Sequence, residues 1–225
     1  MTTDHVWRSR VEAATVRLTK LGGQGVLVRG GFVLTATHCI EWSGSGGMVL
    51  GDFYLEPIVT KSGAAFSLTP CAADAVSDLA VLVAPDRAEF PQDCDRFEVW
   101  EENAEPLELS GAFEQWCQGA IAPREDGAPM QQWETFAVHC LTHTGRWVSG
   151  QAKRLQGGLQ GPQTWVHLSE PIEGGTSGGP IVDNAGALVG VISHTSEVDP
   201  GTSDGEQPVA IYALPAWLLK RVGAR

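Results

Sequence analysis

The stretch from Gly174 to Pro180 reads GGTSGGP, with one serine between two pairs of glycines. Glycine loses conformational entropy in any regular element, so four glycines around one hydroxyl predict unusual backbone angles or a close approach to another group. A serine nucleophile needs such a backbone, because the carbonyl that it attacks must lie near N–H groups that stabilise the developing oxyanion. Ser177 is therefore a candidate nucleophile, provided that the chain also supplies a base and a carboxylate.

The composition favours a globular protein made of short strands. The 225 residues are 43% hydrophobic, enough for the core of one unit or two small subdomains. The 27 glycines and 13 prolines follow no repeat, which is typical of many strands joined by turns. A net charge of −12 argues against nucleic acid as a partner, because phosphate binding requires a basic surface.

Targeting signals are not evident in the sequence. The first ten residues lack the apolar core of a secretory signal, and no apolar run is long enough to span a bilayer, so we expect no membrane association. The cysteines are odd in number and widely scattered, unlike a secreted disulfide framework. They are Cys39, Cys71, Cys94, Cys117 and Cys140. We therefore expect reduced thiols and a cytoplasmic protein.

Apolar and alternating segments predict an all-β fold. These segments cover residues 14–18, 25–29, 31–36, 47–50, 79–83, 136–141, 146–149, 164–168, 180–182, 188–193 and 209–213. A helix is predicted only over residues 215–222, where a proline precedes an apolar face. The acidic segment from Glu98 to Glu108 is the best candidate for a connection between two halves.

Two polar residues at strand ends complete a catalytic set with Ser177. His38 follows the apolar strand 31–36, and Asp78 directly precedes the apolar strand 79–83. Asp74 is a competing carboxylate, but the apolar run that begins right after Asp78 favours Asp78. A nucleophile, a base and an orienting acid thus occur in the order His, Asp, Ser.

With these motifs the sequence resembles the chymotrypsin-like (trypsin-fold) serine proteases, from about Ala14 to Leu219. The resemblance implies two antiparallel six-stranded β-barrels with a short C-terminal helix. We expect an N-terminal barrel over residues 8–103 with His38 and Asp78, and a C-terminal barrel over residues 104–225 with Ser177. The implied activity is that of a serine endopeptidase on protein or peptide substrates, with no cofactor and no metal.

The general triad scheme assigns a role to each residue. Ser177 attacks the carbonyl and forms an acyl-enzyme, His38 acts as general base and then as general acid, and Asp78 orients the imidazole. The resemblance further implies an oxyanion hole made by the N–H groups of Gly175 and Ser177. It also places Ser193 beside the catalytic carboxylate, although an ordinary strand hydroxyl is the alternative.

The resemblance also suggests where substrate binds. It assigns substrate contacts to Pro171, Ile172, His194, Thr195 and Ala210. No acidic residue falls at the expected base of the specificity pocket near Pro171 and Ile172, so we expect a small or medium apolar side chain before the scissile bond. Glu170 and Glu173 flank this position, and a shift in register would bring one of them into the pocket.

Some positions depart from the digestive enzymes of the family. Thr176 stands where they carry an aspartate, and the chain lacks an Ile-Val-Gly-Gly start, so the switch activated by cleavage is absent. Gly22 and Gly23 occupy the region expected to hold the partner of Cys39. Both departures are closer to bacterial HtrA-type peptidases, here without a PDZ domain after the serine. Control would then come from narrow specificity, oligomerisation, an oxyanion loop that orders, or a regulatory protein partner.

Two other functions remain open at this stage. A dormant trypsin-fold binding module would need a damaged triad or a blocked cleft. An α/β-hydrolase esterase would use Gly175 to Gly179 as its nucleophile elbow, with Asp183 or Asp199 and His194 following the serine. The β-rich pattern and the short remainder of the chain argue against the esterase.

Several features have both a functional and a structural interpretation. His139 and His143 could share a metal, but the turn at Thr144-Gly145 separates them and favours structural roles. The eight tryptophans are more typical of core positions than of a ligand cage. The acidic segments 98–108 and 197–206 could meet a partner, although solvated turns are the simpler interpretation.

Overall fold

A computed structural model of the protein describes residues 4–41, 55–74, 77–110, 135–155, 163–195 and 208–212. The first half contains α1 (Asp4–Ala13), β1 (Thr15–Leu18), β2 (Gln24–Val28), β3 (Phe32–Ala36), β4 (Glu56–Thr60), β5 (Ala65–Asp74), β6 (Leu79–Val83) and α2 (Pro91–Ala104). The second half contains β7 (Thr135–Leu141), β8 (Trp147–Leu155), β9 (Gln163–Leu168), β10 (Pro180–Val182), β11 (Leu188–Val191), β12 (His194–Thr195) and β13 (Pro208–Tyr212). The predicted strand 47–50 and the predicted helix 215–222 lie outside the described residues.

The first six strands close into an antiparallel barrel, as predicted. Their order is β1-β2-β3-β6-β5-β4, and β4 returns to pair with β1. All five residues of β2 are buried, whereas β4 alternates between buried and partly buried positions. The alternation follows from the two-residue period of a strand with one face on the core.

Strands β4 and β5 were not predicted, because both contain a proline and polar residues. Pro70 lies at a register shift where β5 bulges against β6. A bulge is one of the few places in a sheet that tolerate a residue without an N–H. The irregularity allows β5 to run for ten residues despite its proline.

The expectation that only residues 215–222 form a helix is wrong. The acidic segment predicted as a connection is helical up to Ala104. Helix α2 begins with Pro91, at a position where the backbone N–H would have no acceptor within the helix, so the missing N–H of proline costs nothing. Its buried residues are Cys94, Phe97, Trp100 and Ala104. Their spacing of three to four residues is the helical period, which the abundant acidic residues of the exposed face concealed.

Helix α1 was also missed, and it spans both halves. Its Val11 is fully buried in the core cluster of the first barrel. Trp7 belongs to the same cluster and also packs edge-on against Trp147 of β8, with ring centroids 5.0 Å apart. The Trp147 indole N–H donates to Glu12 at 2.8 Å. The helix therefore fixes the barrel against the second half.

The strands of the second half form one antiparallel sheet in the order β11-β10-β7-β8-β9-β13-β12. Its two edge strands, β11 and β12, are separated by only two residues of the chain. Where a second six-stranded barrel was expected, the described residues thus form a sheet of seven strands whose edge strands are joined by this short connection. A separate core cluster lies within it and includes Val138, Val166 and Ile181.

An extended segment joins the halves. Leu107 bridges to Val28 of the barrel, and Leu109 bridges to Leu188 of the second sheet. All strand pairs that the structure describes are antiparallel, so the parallel sheet required by the esterase alternative is contradicted. No helix among the described residues has the length and apolar character needed to cross a membrane.

Candidate active site

The pairing of β3 with β6 brings His38 and Asp78 together. Ala36 lies opposite Leu79, so His38, shortly after Ala36, and Asp78, just before Leu79, lie at the same end of the two strands. The chain then makes a turn of 3-10 helix over Thr37–Cys39, and the Thr37 N–H donates to the Asp78 carbonyl at 3.0 Å. Asp78 has a φ of 49°, a left-handed conformation that is uncommon for a residue with a side chain and that surrounding contacts must hold.

Three hydrogen bonds fix the Asp78 carboxylate. One oxygen, Oδ1, accepts the backbone N–H of His38 at 3.1 Å. The other, Oδ2, lies 2.7 Å from the imidazole Nδ1 of His38 and accepts the hydroxyl of Ser193 at 2.6 Å. Because an ionised carboxylate only accepts, Nδ1 must carry the hydrogen, which leaves Nε2 of the neutral ring as an acceptor.

The charge on Asp78 follows from these contacts. Burial by itself raises the pKa of Asp78, but the hydrogen bonds from His38 and Ser193 outweigh it and hold the pKa below its ordinary value of 3.8. The residue is therefore a carboxylate at neutral pH. Ser193 is buried, so its hydroxyl has little competition from water for this contact.

The same contacts change the basicity of His38. The hydrogen bond to Asp78 is the main cause that raises the pKa of His38 from 6.5 to about 10, with the Cys39 thiol as the second cause and burial acting against both. The His38 side chain remains 48% exposed, so a substrate can approach it.

Asp74 makes different contacts from Asp78. Its carboxylate accepts the hydroxyl of Ser77 at 2.8 Å, and its carbonyl accepts the hydroxyl of Thr37 at 3.3 Å. The carboxylate that contacts His38 is that of Asp78. Asp74 thus braces the turn that carries His38.

The loop with Ser177 is docked on the first barrel. The carbonyl of Ser177 accepts the Gln24 N–H at 2.7 Å. A Cβ at Gly23 would lie 2.5 Å from the Cys39 sulfur and 3.0 Å from the Ser177 carbonyl oxygen. The backbone of Ser177 therefore lies beside the residue that follows His38, and Cys39 is a free thiol facing a glycine.

Gly178 is required at this junction. It has a φ of +76°, and a Cβ there would lie 2.0 Å from the carbonyl oxygen of Gln24 and 2.4 Å from the hydroxyl of Thr35. That hydroxyl donates to the same Gln24 carbonyl at 2.6 Å, and the Gly178 N–H donates to Ile192 at 2.6 Å. The glycine-rich motif thus allows two backbones to meet where no side chain fits.

The predicted oxyanion donors are available. Gly175 has a φ of +87°, which favours glycine at this position. Across the described residues, neither the Gly175 nor the Ser177 N–H donates a hydrogen bond, and the Ser177 hydroxyl has no partner either. Hydrogen bonds of this kind often form only when a substrate is bound.

Thr176 shows what replaces the aspartate of the digestive enzymes. Its side chain is buried, and its hydroxyl lies 3.3 Å from Nδ1 of His143 and 3.5 Å from the His143 backbone N–H. The His143 ring also lies 3.7 Å from the position of a Cβ on Gly175. A contact between the Thr176 hydroxyl and His143 of a neighbouring hairpin thus stands where the digestive enzymes carry a charged residue.

A family model described as trypsin-like peptidase domain matches residues 23–191. The chain belongs to the trypsin-like peptidase family. The match includes His38, Asp78 and Ser177 and covers most of the barrel-forming strands. A comparison with curated proteins finds no match.

Solved structures agree on the fold of this trypsin-like peptidase. The active form of the Rv3671c protease from M. tuberculosis aligns with a TM-score of 0.53 and 17% identity, over 97% of this chain and 82% of that one. The inactive form of Rv3671c protease gives a TM-score of 0.54 and 17% identity, over 97% and 93%. A serine endoprotease from Yersinia pestis gives 0.53 and 18%, over 100% and 66%. At 17–18% identity, these similarities show the fold alone.

The five predicted substrate residues fall into two groups. Pro171 is exposed and its carbonyl accepts a hydrogen bond from Arg146, while Ile172 is partly buried against the second core. His194 in β12 lies opposite Ala210 in β13, and Thr195 lies opposite Val209. Ser193 directly precedes β12, so this short strand begins beside the Asp78 carboxylate.

Sequence reasoning missed Gln24 and Arg146. Gln24 begins β2, and its backbone carries the contact to Ser177, which no side-chain motif reveals. Arg146 pairs with both Glu170 and Glu173. The two acidic residues flanking the predicted pocket were a visible signal that a cation lies opposite them.

Among the described residues, His139, Trp7 and Trp100 have structural roles. His139 is held by Ser149 and Asn184, each at 3.0 Å, and has no partner in common with His143. Within the described ranges, no group of three metal-ligating side chains could hold an ion. Trp7 and Trp100 are buried in the core, as expected. The acidic segment 197–206 lies outside the described residues.

Proposed function

We propose that this chain is an active serine endopeptidase that cleaves through an acyl-enzyme on Ser177. The observation that carries the proposal is the set of three hydrogen bonds on the Asp78 carboxylate, two from His38 and one from Ser193. A merely structural aspartate has no need to hold one nitrogen of an imidazole whose side chain stays 48% exposed. The docking of the Ser177 backbone beside Cys39 supports the same assignment.

The mechanism follows from the chemistry of these groups. Ser177 Oγ attacks the peptide carbonyl while its proton passes to Nε2 of His38, and the oxyanion is stabilised by the N–H groups of Gly175 and Ser177. His38 then gives the proton to the leaving amine, which breaks the C–N bond. Water attacks the acyl-enzyme with His38 again as base, which releases the acid product and restores Ser177.

We further propose a preference for a small or medium apolar side chain before the scissile bond. Glu170 and Glu173 are both paired with Arg146, so neither is free to bind a basic side chain. Ile172, between them, faces the apolar core of the second half. A peptide-library profile dominated by arginine or lysine at this position would contradict the preference.

Control by a protein partner is part of the proposal, since Thr176 replaces the charged switch.

Covalent labelling tests the activity. A fluorophosphonate probe should label the wild type and lose its signal in Ser177→Ala. Ser77→Ala is the matched control, because Ser77 is bonded to Asp74 and not to the triad. If the wild type and Ser77→Ala are labelled and Ser177→Ala is not, the result supports an active nucleophile at Ser177. A folded wild type that is not labelled at any pH from neutral to alkaline would instead indicate a dormant binding module.

A further inference from the structure

Arg146 contacts three groups in the segment that leads into the oxyanion loop. Its guanidinium pairs with the carboxylate of Glu170, bonds the carboxylate of Glu173 at 2.8 Å, and donates to the carbonyl of Pro171 at 3.0 Å. The planar fork of arginine suits such divided contacts, whereas a lysine ammonium is a single point charge. One side chain thus connects the start of β8 to the segment 170–173.

The hairpin that carries Arg146 is itself well fixed. The buried Thr142 accepts the Arg146 N–H through its hydroxyl at 3.1 Å and donates its own N–H to the Arg146 carbonyl at 2.9 Å. The Gly145 N–H donates to the Thr142 carbonyl at 2.9 Å, which closes the turn. Arg146 is therefore presented from a rigid turn rather than from a free loop.

The same turn also contacts the far end of the segment. His143 lies against the buried hydroxyl of Thr176 and beside Gly175. Between the two contacts stands Gly174, which has no atom within 4 Å of the position of a Cβ. Two consecutive glycines do not define their own conformation, so the direction of the Gly175 N–H depends on how the two ends are held.

We propose that Arg146 is a positioning residue that orders residues 170–175 and thereby aims the Gly175 N–H at the oxyanion. The inference rests on the proposed function. Arg146 and both glutamates are substantially exposed, and ion pairs of this kind are individually weak and screened by salt. The ordered conformation of residues 170–175 is therefore favoured by only a small free energy over other conformations of this loop. Activity should respond to ionic strength, whereas the melting temperature should not.

Three variants test the role of Arg146. Arg146→Ala should lower kcat and the rate of fluorophosphonate labelling about tenfold, with KM changed by less than about threefold, because the oxyanion contact acts in the transition state. Arg146→Lys should recover part of the rate, since it keeps the charge but not the fork. Glu170→Gln with Glu173→Gln should reproduce most of the loss.

Arg87→Ala is the matched control. Arg87 also bridges two carboxylates, Asp95 and Glu98, on the exposed face of α2. It should keep the wild-type kcat and show the same melting temperature as Arg146→Ala. Molar NaCl should bring the wild-type rate toward that of Arg146→Ala and leave the ratio between Arg87→Ala and wild type unchanged.

Two results would overturn the inference. One is an Arg146→Ala rate equal to that of Arg87→Ala, and the other is a rate loss matched by a lower melting temperature. Hydrogen exchange separates this inference from the proposed function, because the amides of residues 173–176 should exchange faster in Arg146→Ala even if the wild type is never labelled. Unlabelled wild type with unchanged exchange in Arg146→Ala would defeat both proposals, whereas labelled wild type with unchanged rate and exchange would defeat only this one.

Discussion

Gly178→Ala is the substitution that most directly tests how the nucleophile loop is docked. The added Cβ would lie 2.0 Å from the Gln24 carbonyl oxygen, more than an ångström inside the ordinary contact distance of 3.4 Å. The backbones must separate, and three hydrogen bonds are at risk. They are Gln24 N–H to Ser177 at 2.7 Å, Gly178 N–H to Ile192 at 2.6 Å, and the Thr35 hydroxyl to Gln24 at 2.6 Å.

The magnitude follows from two contributions to the free energy of unfolding. A side chain at positive φ costs about 1–2 kcal/mol, partly offset by about 0.4–1 kcal/mol from the stiffer unfolded chain. Three hydrogen bonds at about 1 kcal/mol each add about 3 kcal/mol. The sum of about 3–4.6 kcal/mol corresponds to a fall in melting temperature of about 6–18 °C for a chain of this size.

Gly63→Ala separates the two contributions. Gly63 has a φ of +88° but nothing within 4 Å of a Cβ, so it carries the backbone cost without the collision. Its melting temperature should fall by only about 0–6 °C, from a net cost of about 0–1.6 kcal/mol. The assay is thermal unfolding of both variants, with the labelling rate of Ser177 measured alongside. If Gly178→Ala melts within about 2 °C of Gly63→Ala, the close approach is not what the glycine provides, and the docking argument fails.

Three further substitutions test the triad and the packing of the halves. The Asp78 contact raises the pKa of His38 from 6.5 to about 10, so labelling of Ser177 should increase as pH rises through that range. In Asp78→Asn, NMR titration of His38 should show a lower midpoint than in the wild type. An unchanged midpoint would contradict the assignment of Asp78 as the partner of His38. Stability should change in the opposite direction to labelling. The contact with protonated His38 contributes fully to the free energy of unfolding below pH 6.5, and this contribution is lost as pH rises toward 10. The difference in melting temperature between wild type and Asp78→Asn should therefore narrow over that range. Ser193→Ala removes a 2.6 Å hydrogen bond to the carboxylate, about 1.5–3 kcal/mol for a charged acceptor, and should slow labelling by about 10- to 100-fold while Ser77→Ala has no effect. Trp7→Ala should cost about 3–5 kcal/mol in urea unfolding, because its ring packs against Trp147 and His139 across the two halves; a loss below about 1 kcal/mol would mean that α1 does not hold the halves together.

Local patterns were sufficient for the strands with simple signals. Leu79 to Val83 and Pro180 to Val182 were predicted with the bounds that the structure has, because uninterrupted apolar runs between turn residues leave little choice. Strands β4 and β5 failed that test, because the pairing partners compensate for their prolines at an irregular register. Helix α2 failed it because many acidic residues on the exposed face concealed the buried aromatic positions.

The sequence by itself determined the chemical types of the candidate site and the fold that carries them. A glycine-framed serine, a histidine after a strand and an aspartate before one are local signals, and their order pointed to the family. Only the tertiary structure decided which contacts join them. Three contacts between distant segments are examples. His38 and Ser193 share Oδ2 of Asp78, the Gln24 N–H binds the Ser177 carbonyl, and Arg146 pairs with two glutamates. Hydrogen bonds and ion pairs act over a few ångströms, so they depend on which segments the packed core brings together.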